Sequence, residues 1–142
     1  MTSLSFPDVN VWLAVLLADH LHRAPARTWW ESDASAIIAF SRFTQISVLR
    51  LLTTEAAMNG RPLTMSAAWH AYDRLFEDDR VALLPEPDSL DPAFRNLSRS
   101  RRASPKVWAD AYIVAFAARS NGTLVTFDQA LAKREANCLL LN

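Results

Sequence analysis

Cysteine occurs once in these 142 residues, at Cys138, and glycine only twice. A lone cysteine closes no internal disulfide and builds no metal site by itself, and within Cys138-Leu139-Leu140-Leu141 it reads as a core thiol in a reducing compartment. No Pro/Gly/Ser-rich or low-complexity stretch is present, which excludes a disordered tail or an interdomain linker. No segment reaches the roughly 20 uninterrupted apolar residues of a membrane helix, and the N-terminus lacks the basic opening of a secretory signal. A cytoplasmic protein is expected. Net charge is also missing: Lys and Arg total 15, and so do Asp and Glu. The chain as a whole therefore exerts no long-range attraction on nucleic acid, and phosphate binding would need locally arranged bases or a metal.

What is present is apolar residue in quantity, 51% of the chain, which suits one compact domain over residues 1–142. Basic residues are densest from Arg95 through Arg99, Arg101 and Arg102 to Lys106, which makes either a phosphate-holding patch or a solvated loop face.

Ser3 to Phe6 alternates polar and apolar residues before Pro7 and is expected to be a strand, followed by a helix from Val9 whose residues Asn10 to Leu17 are apolar on nearly all sides. Trp29 and Trp30 suit a second helix, Ser35 to Phe40 a buried strand, and Arg42 to Thr54 a helix with one buried face. Asn59-Gly60-Arg61-Pro62 stops that unit. Thr64 to Asp78 reads as a helix capped by Ser66, Val81 to Leu84 as a strand, and the prolines at 85, 87 and 92 as a loop. Ala103 to Ser120 is the longest apolar helix, ended by Asn121-Gly122, and Thr123 to Phe127 is a fourth strand. A short helix from Gln129 to Glu135 and a strand from Cys138 to Leu141 close the chain. Strands alternating with helices imply a three-layer α/β/α sandwich on a central, mainly parallel five-stranded sheet.

In open parallel sheets the ligand crevice lies beyond the carboxyl ends of the strands. Asp8 follows the first strand, Asp128 the fourth, and Asp110 stands near the start of the helix leaving the third, so all three map to one rim. Asp110 in Val107-Trp108-Ala109-Asp110-Ala111-Tyr112-Ile113 is a carboxylate in apolar company, which is costly unless a cation compensates it. Magnesium prefers such hard oxygens, and a bound ion would orient water and stabilise charge on a phosphate. Aspartates after strands are also common loop caps, and for each one that reading stands beside the metal reading.

Three segments carry a resemblance. Pro7-Asp8-Val9-Asn10-Val11-Trp12-Leu13, Trp108-Ala109-Asp110-Ala111-Tyr112-Ile113 and Thr126-Phe127-Asp128 resemble, in order and over nearly the whole chain, the motifs of VapC-type PIN-domain toxins. The resemblance implies a magnesium- or manganese-dependent endoribonuclease acting on structured RNA such as transfer or ribosomal RNA. It also implies a homodimer and inhibition by a small antitoxin encoded alongside. Asp8, Asp110 and Asp128 would be the metal ligands, and Thr126 the hydroxyl supporting them. Where the family usually carries a glutamate, Phe43-Thr44-Gln45-Ile46-Ser47 places Gln45, which can hydrogen-bond a metal-bound water but cannot act as a base. A degenerate domain that binds RNA or a protein without cutting is the alternative. A receiver-like phosphotransfer domain is disfavoured, because no aspartate ends Ser35 to Phe40 and no lysine follows the fourth strand at its tip.

Asn10, one turn from Asp8, is a candidate for orienting it or an ordinary helix-start asparagine. The run Arg95 to Lys106 immediately precedes Asp110 and is the candidate RNA-holding patch. His20 and His22 are expected to be a solvated helix start, His70 a partly buried packing residue, and Trp12, Trp29, Trp69 and Trp108 core residues.

Overall fold

The computed structural model describes residues 3–142. Five strands form one sheet: β1 (Leu4–Pro7), β2 (Ile37–Phe40), β3 (Val81–Leu83), β4 (Thr123–Thr126) and β5 (Cys138–Leu140), in the order β3-β2-β1-β4-β5. Every pairing is parallel, with Ser5 against Ile38 on one side of β1 and Pro7 against Val125 on the other. Because period-2 alternation sends neighbouring residues to opposite faces, Ile38 and Phe40 enter one core while Ala39 enters the other.

The helices are α1 (Val9–Leu16), α2 (Arg23–Ser32), α3 (Arg42–Leu52), α4 (Met65–Leu75), α5 (Leu90–Leu97), α6 (Pro105–Arg119) and the single turn α7 (Gln129–Ala132). On one face α1 to α4 pack around Trp12, whose ring stacks 3.8 Å from that of Phe40. On the other, α5 and α6 cover Phe6 and Leu124, and Phe116 stacks 4.6 Å from Phe6. This is the three-layer sandwich that the alternation of elements predicts. No helix among the described residues is long and apolar enough to cross a membrane.

Several local expectations need correction. Pro85 and Pro87 lie in the expected loop after β3, but Pro92 does not: it falls in the first turn of α5, where a missing N–H costs nothing. Thr64, not Ser66, caps α4, its hydroxyl accepting the Ala67 N–H at 3.1 Å. At the end of α6, Asn121 takes the left-handed conformation with φ 55°, and Gly122 lies close against Leu4 of β1, whose side chain would have to shift to admit a Cβ. Trp69 and Trp108 are exposed rather than core, Trp30 is buried, and His70 lies on the outer surface of α4.

Candidate metal centre

The chain reverses its direction of travel across the sheet between β1 and β4: β2 and β3 extend one side of β1, and the later strands extend the other. Such a switch point opens a crevice above the carboxyl ends of the two strands, because their connections leave to opposite sides. Asp8 stands there. Its N–H prolongs the ladder to the Val125 carbonyl at 2.9 Å, and its extended backbone makes it the N-cap of α1. Oδ1 accepts the N–H groups of Asn10 at 2.9 Å and Val11 at 3.4 Å, which holds one face of the carboxylate against the helix start.

Oδ2 of Asp8 accepts the hydroxyl of Thr126, the last residue of β4, which is fully buried. The same hydroxyl oxygen accepts the Asp128 N–H at 3.0 Å, and Asp128 then caps α7 by accepting from Ala130 at 2.9 Å and Leu131 at 3.2 Å. Thr126 thus links the carboxylate after β1 to the backbone of the aspartate after β4. Asp128 keeps its own carboxylate exposed.

Asp8 is nearly buried, and burial lifts its carboxyl above the ordinary value of 3.8 against the opposing hydrogen bonds from Thr126, Val11 and Asn10; the charge of Asp128 adds to the rise. Asp110, half-buried in the second turn of α6, is raised by burial and again by Asp128, while Arg134 and Lys106 pull it down. None of the three aspartates takes part in an ion pair among the described residues. Two carboxylates taken out of water, sharing a third and lacking a paired cation, would be relieved by a divalent ion. Among the described residues no three acidic, histidine or cysteine side chains converge tightly enough to form a ready cage. The oxygen donors of the three aspartates are of the hard kind that magnesium and manganese take.

Other candidates are placed less directly. The side chain of Asn10 turns from Asp8 to His20, 3.2 Å from its Nε2, so only the Asn10 backbone orients the aspartate. His20 and His22 lie in the turn before α2, not on a helix, with rings 5.9 Å apart; both are half-buried, and His22 stacks 4.5 Å from Phe127 beside the rim. Gln45 is buried in the first turn of α3 and reaches none of the aspartates by hydrogen bond. Its Oε1 accepts from Arg42 at 2.7 Å, and its Nε2 donates to the Tyr72 hydroxyl at 3.4 Å.

The basic run divides. Arg95 is tied to Asp91 at 2.7 Å on exposed α5, whereas Arg99, Arg101, Arg102 and Lys106 join no ion pair among the described residues and are exposed. Lys106 lies close enough to depress the Asp110 carboxyl, which sets this end of the run beside the rim. Sequence reasoning missed Arg134, which donates to the Leu97 carbonyl at 3.0 Å and also faces Asp110. No motif or spacing marks it; the turn after α7 brings it near.

The model of a family described as PIN domain matches residues 5–137. Over 131 residues the chain is 41% identical to Ribonuclease VapC41 of Mycobacterium tuberculosis, covering 89% of this chain and 90% of that protein. Among solved structures, VapC20 of Mycobacterium tuberculosis, described as a Sarcin-Ricin loop cleaving toxin, superposes with a TM-score of 0.65 at 19% identity over 92% of this chain and 94% of that one. VapBC2 from Rickettsia felis, solved with a DNA fragment from their promoter, gives 0.63 at 13% identity over 96% of each chain. The two structures are likenesses of fold.

Proposed function

Since this chain belongs to the PIN domain family, with VapC-type toxins as its relatives, we propose that it is a magnesium-dependent endoribonuclease, with manganese an acceptable substitute. The observation that carries the reading is the Thr126 hydroxyl joining the Asp8 carboxylate to the Asp128 backbone at the β1–β4 switch point. In this reading Asp8 and Asp110, with Asp128, hold the ion. When bound, it supplies Lewis acidity toward a phosphate oxygen and acidifies the water that adds across one P–O bond.

The chain's own residues prepare that reaction. Thr126 keeps both aspartates in register, and the Asn10 and Val11 amides fix the rotation of Asp8. Lys106 and Arg134 keep Asp110 closer to its ionised form and offer positive charge where RNA phosphates would approach. Arg99, Arg101 and Arg102 extend that field, while Arg95 contributes less because Asp91 neutralises it. Gln45 keeps one N–H and one lone pair beyond its bonds to Tyr72 and Arg42, but it carries no charge and cannot act as a base. A homodimer and a small antitoxin partner are proposed as well; the likeness to VapBC2 supports the latter. The binding-only alternative draws on Gln45, an uncharged side chain where the family usually carries a glutamate, held to Arg42 and Tyr72 within the fold.

Cleavage of total RNA by purified protein tests the reading, with magnesium, manganese or a chelator, beside Asp8→Asn and Asp110→Asn. The expected result is metal-dependent cutting that both substitutions abolish. Folded wild-type protein that binds RNA and cuts none in either metal would replace the nuclease with the binding module.

A further inference from the structure

We propose that Trp108, with the loop joining α5 to α6, forms a stacking subsite for one unpaired RNA base. The ribonuclease reading supplies the class of ligand; the subsite itself rests on separate observations. Trp108 is 61% exposed although it lies on a helix that is buried almost throughout from Ala111 to Ala117. Its ring is tilted 55° to that of Phe94 at 6.3 Å, a contact that supports the indole and leaves it broadly open to solvent. A cavity of about 250 Å³ adjoins it, lined in part by Ser98, Ser100, Arg102, Ser104 and Val107. Drug-sized ligands occupy roughly 300–1,000 Å³, so this space suits a single planar ring better than a larger molecule.

Charge decides the occupant. Residues 98–106 contain Arg99, Arg101, Arg102 and Lys106 and no acidic residue. These cations suit the phosphates on either side of a stacked base, and the Ser100 hydroxyl accepts the Arg102 N–H at 3.2 Å, which steadies the turn that carries them. A protein partner would need a wider apolar core than one indole among polar neighbours, whereas a base needs one ring face. Lys106 stands one helical turn before Asp110 on α6, so the basic stretch that flanks the indole runs on to the helix face that carries the aspartate. Stacking of this kind accepts every base and favours the larger purine surface, with the Arg102 guanidinium and the serine hydroxyls available to its edge.

Binding of fluorescent oligoadenylate, oligouridylate and duplex RNA, measured in chelator, tests the subsite without turnover. Trp108→Ala is expected to weaken oligoadenylate binding about five- to a hundredfold, with Trp108→Phe restoring most of it and the duplex little affected. Unchanged single-strand affinity in a folded Trp108→Ala protein would overturn the proposal. So would a loss confined to self-association or to capture of a protein partner, which would make the indole a protein contact. The two readings fail separately: wild type that stacks RNA but never cuts it removes the nuclease alone, and cutting with Trp108→Ala indistinguishable from wild type in affinity removes the subsite alone.

Discussion

At the β1–β4 junction both carboxylate oxygens of Asp8 and the hydroxyl of Thr126 have hydrogen-bond partners inside the fold. In the α5–α6 loop, the guanidinium groups of Arg99, Arg101 and Arg102 have none among the described residues and stand in solvent. Both regions border Asp110, yet one is set by strand register and helix capping and the other by a surface turn. The difference separates two tasks: bond cleavage needs groups held by a rigid scaffold, and holding a flexible polyanion needs charge that can follow it. Substitutions on the two sides should therefore differ in kind as well as in size.

The largest effect is expected at Asp8. Asparagine keeps the shape and can still accept the Asn10 and Val11 amides, so Asp8→Asn should fold while losing at least about 10²-fold in RNA cleavage. Its stability should move the other way. The folded-state carboxyl is raised above 3.8, so the native state binds the proton more tightly than the unfolded chain does. Wild-type stability from this group is then fully present below that ordinary value and is lost as pH rises through the raised folded value. Denaturant midpoints measured from acid to neutral pH should fall less in Asp8→Asn than in wild type, and magnesium should raise only the wild-type midpoint at neutral pH. Equal pH profiles would mean that the buried charge costs the fold nothing, and the contrast between the two sides would lose its energetic basis.

Thr126→Val comes next, because it removes the donor to Asp8 and the acceptor for the Asp128 N–H without changing the side-chain shape. Cleavage should fall about 10- to 100-fold, as when a group orienting a metal ligand is lost. The unsatisfied partners should cost about 1–3 kcal/mol in chemical denaturation. Thr126→Ser, which restores the hydroxyl, should recover most of both. A Thr126→Val protein with full activity would show that Asp8 and Asp128 hold their places unaided.

The organised side was the more readable in sequence, and for a physical reason. Apolar runs at Leu4–Pro7 and Thr123–Thr126 end in aspartates, and parallel pairing through β1 brings strand ends together whatever fills the space between them. Thr126 was legible only through the resemblance of Thr126-Phe127-Asp128 to the family's closing motif. The loop side was not. Pro92, which suggests a continued break, is compatible with the first turn of α5, and without that helix the setting of Trp108 could not be foreseen. Helical spacing says that a residue lies on an apolar stripe but not how far the neighbouring layer extends over it; hence Trp69 and Trp108 protrude while Trp30 is covered. Contacts that cross elements, such as Gln45 to Tyr72, Asn10 to His20 and Arg134 to Leu97, leave no periodic trace at all.

The smallest effects should lie in the loop, where their form is more telling than their size. Arg101→Ala and Arg102→Ala each remove one exposed cation with no hydrogen bond from its guanidinium, so thermal stability should be unchanged. If each guanidinium meets one phosphate of single-stranded RNA, its loss should lower the slope of log affinity against log salt by about 0.7, a several-fold loss near physiological salt. Arg95→Ala should change the slope less, since that guanidinium is already paired with Asp91. The cleavage rate at saturating RNA should stay near wild type in all three variants, because the cations act on association and not on the geometry around Asp8. A slope that stays constant while the saturated rate drops would mean that loop and junction form one catalytic unit, with the exposed arginines reaching the scissile phosphate itself.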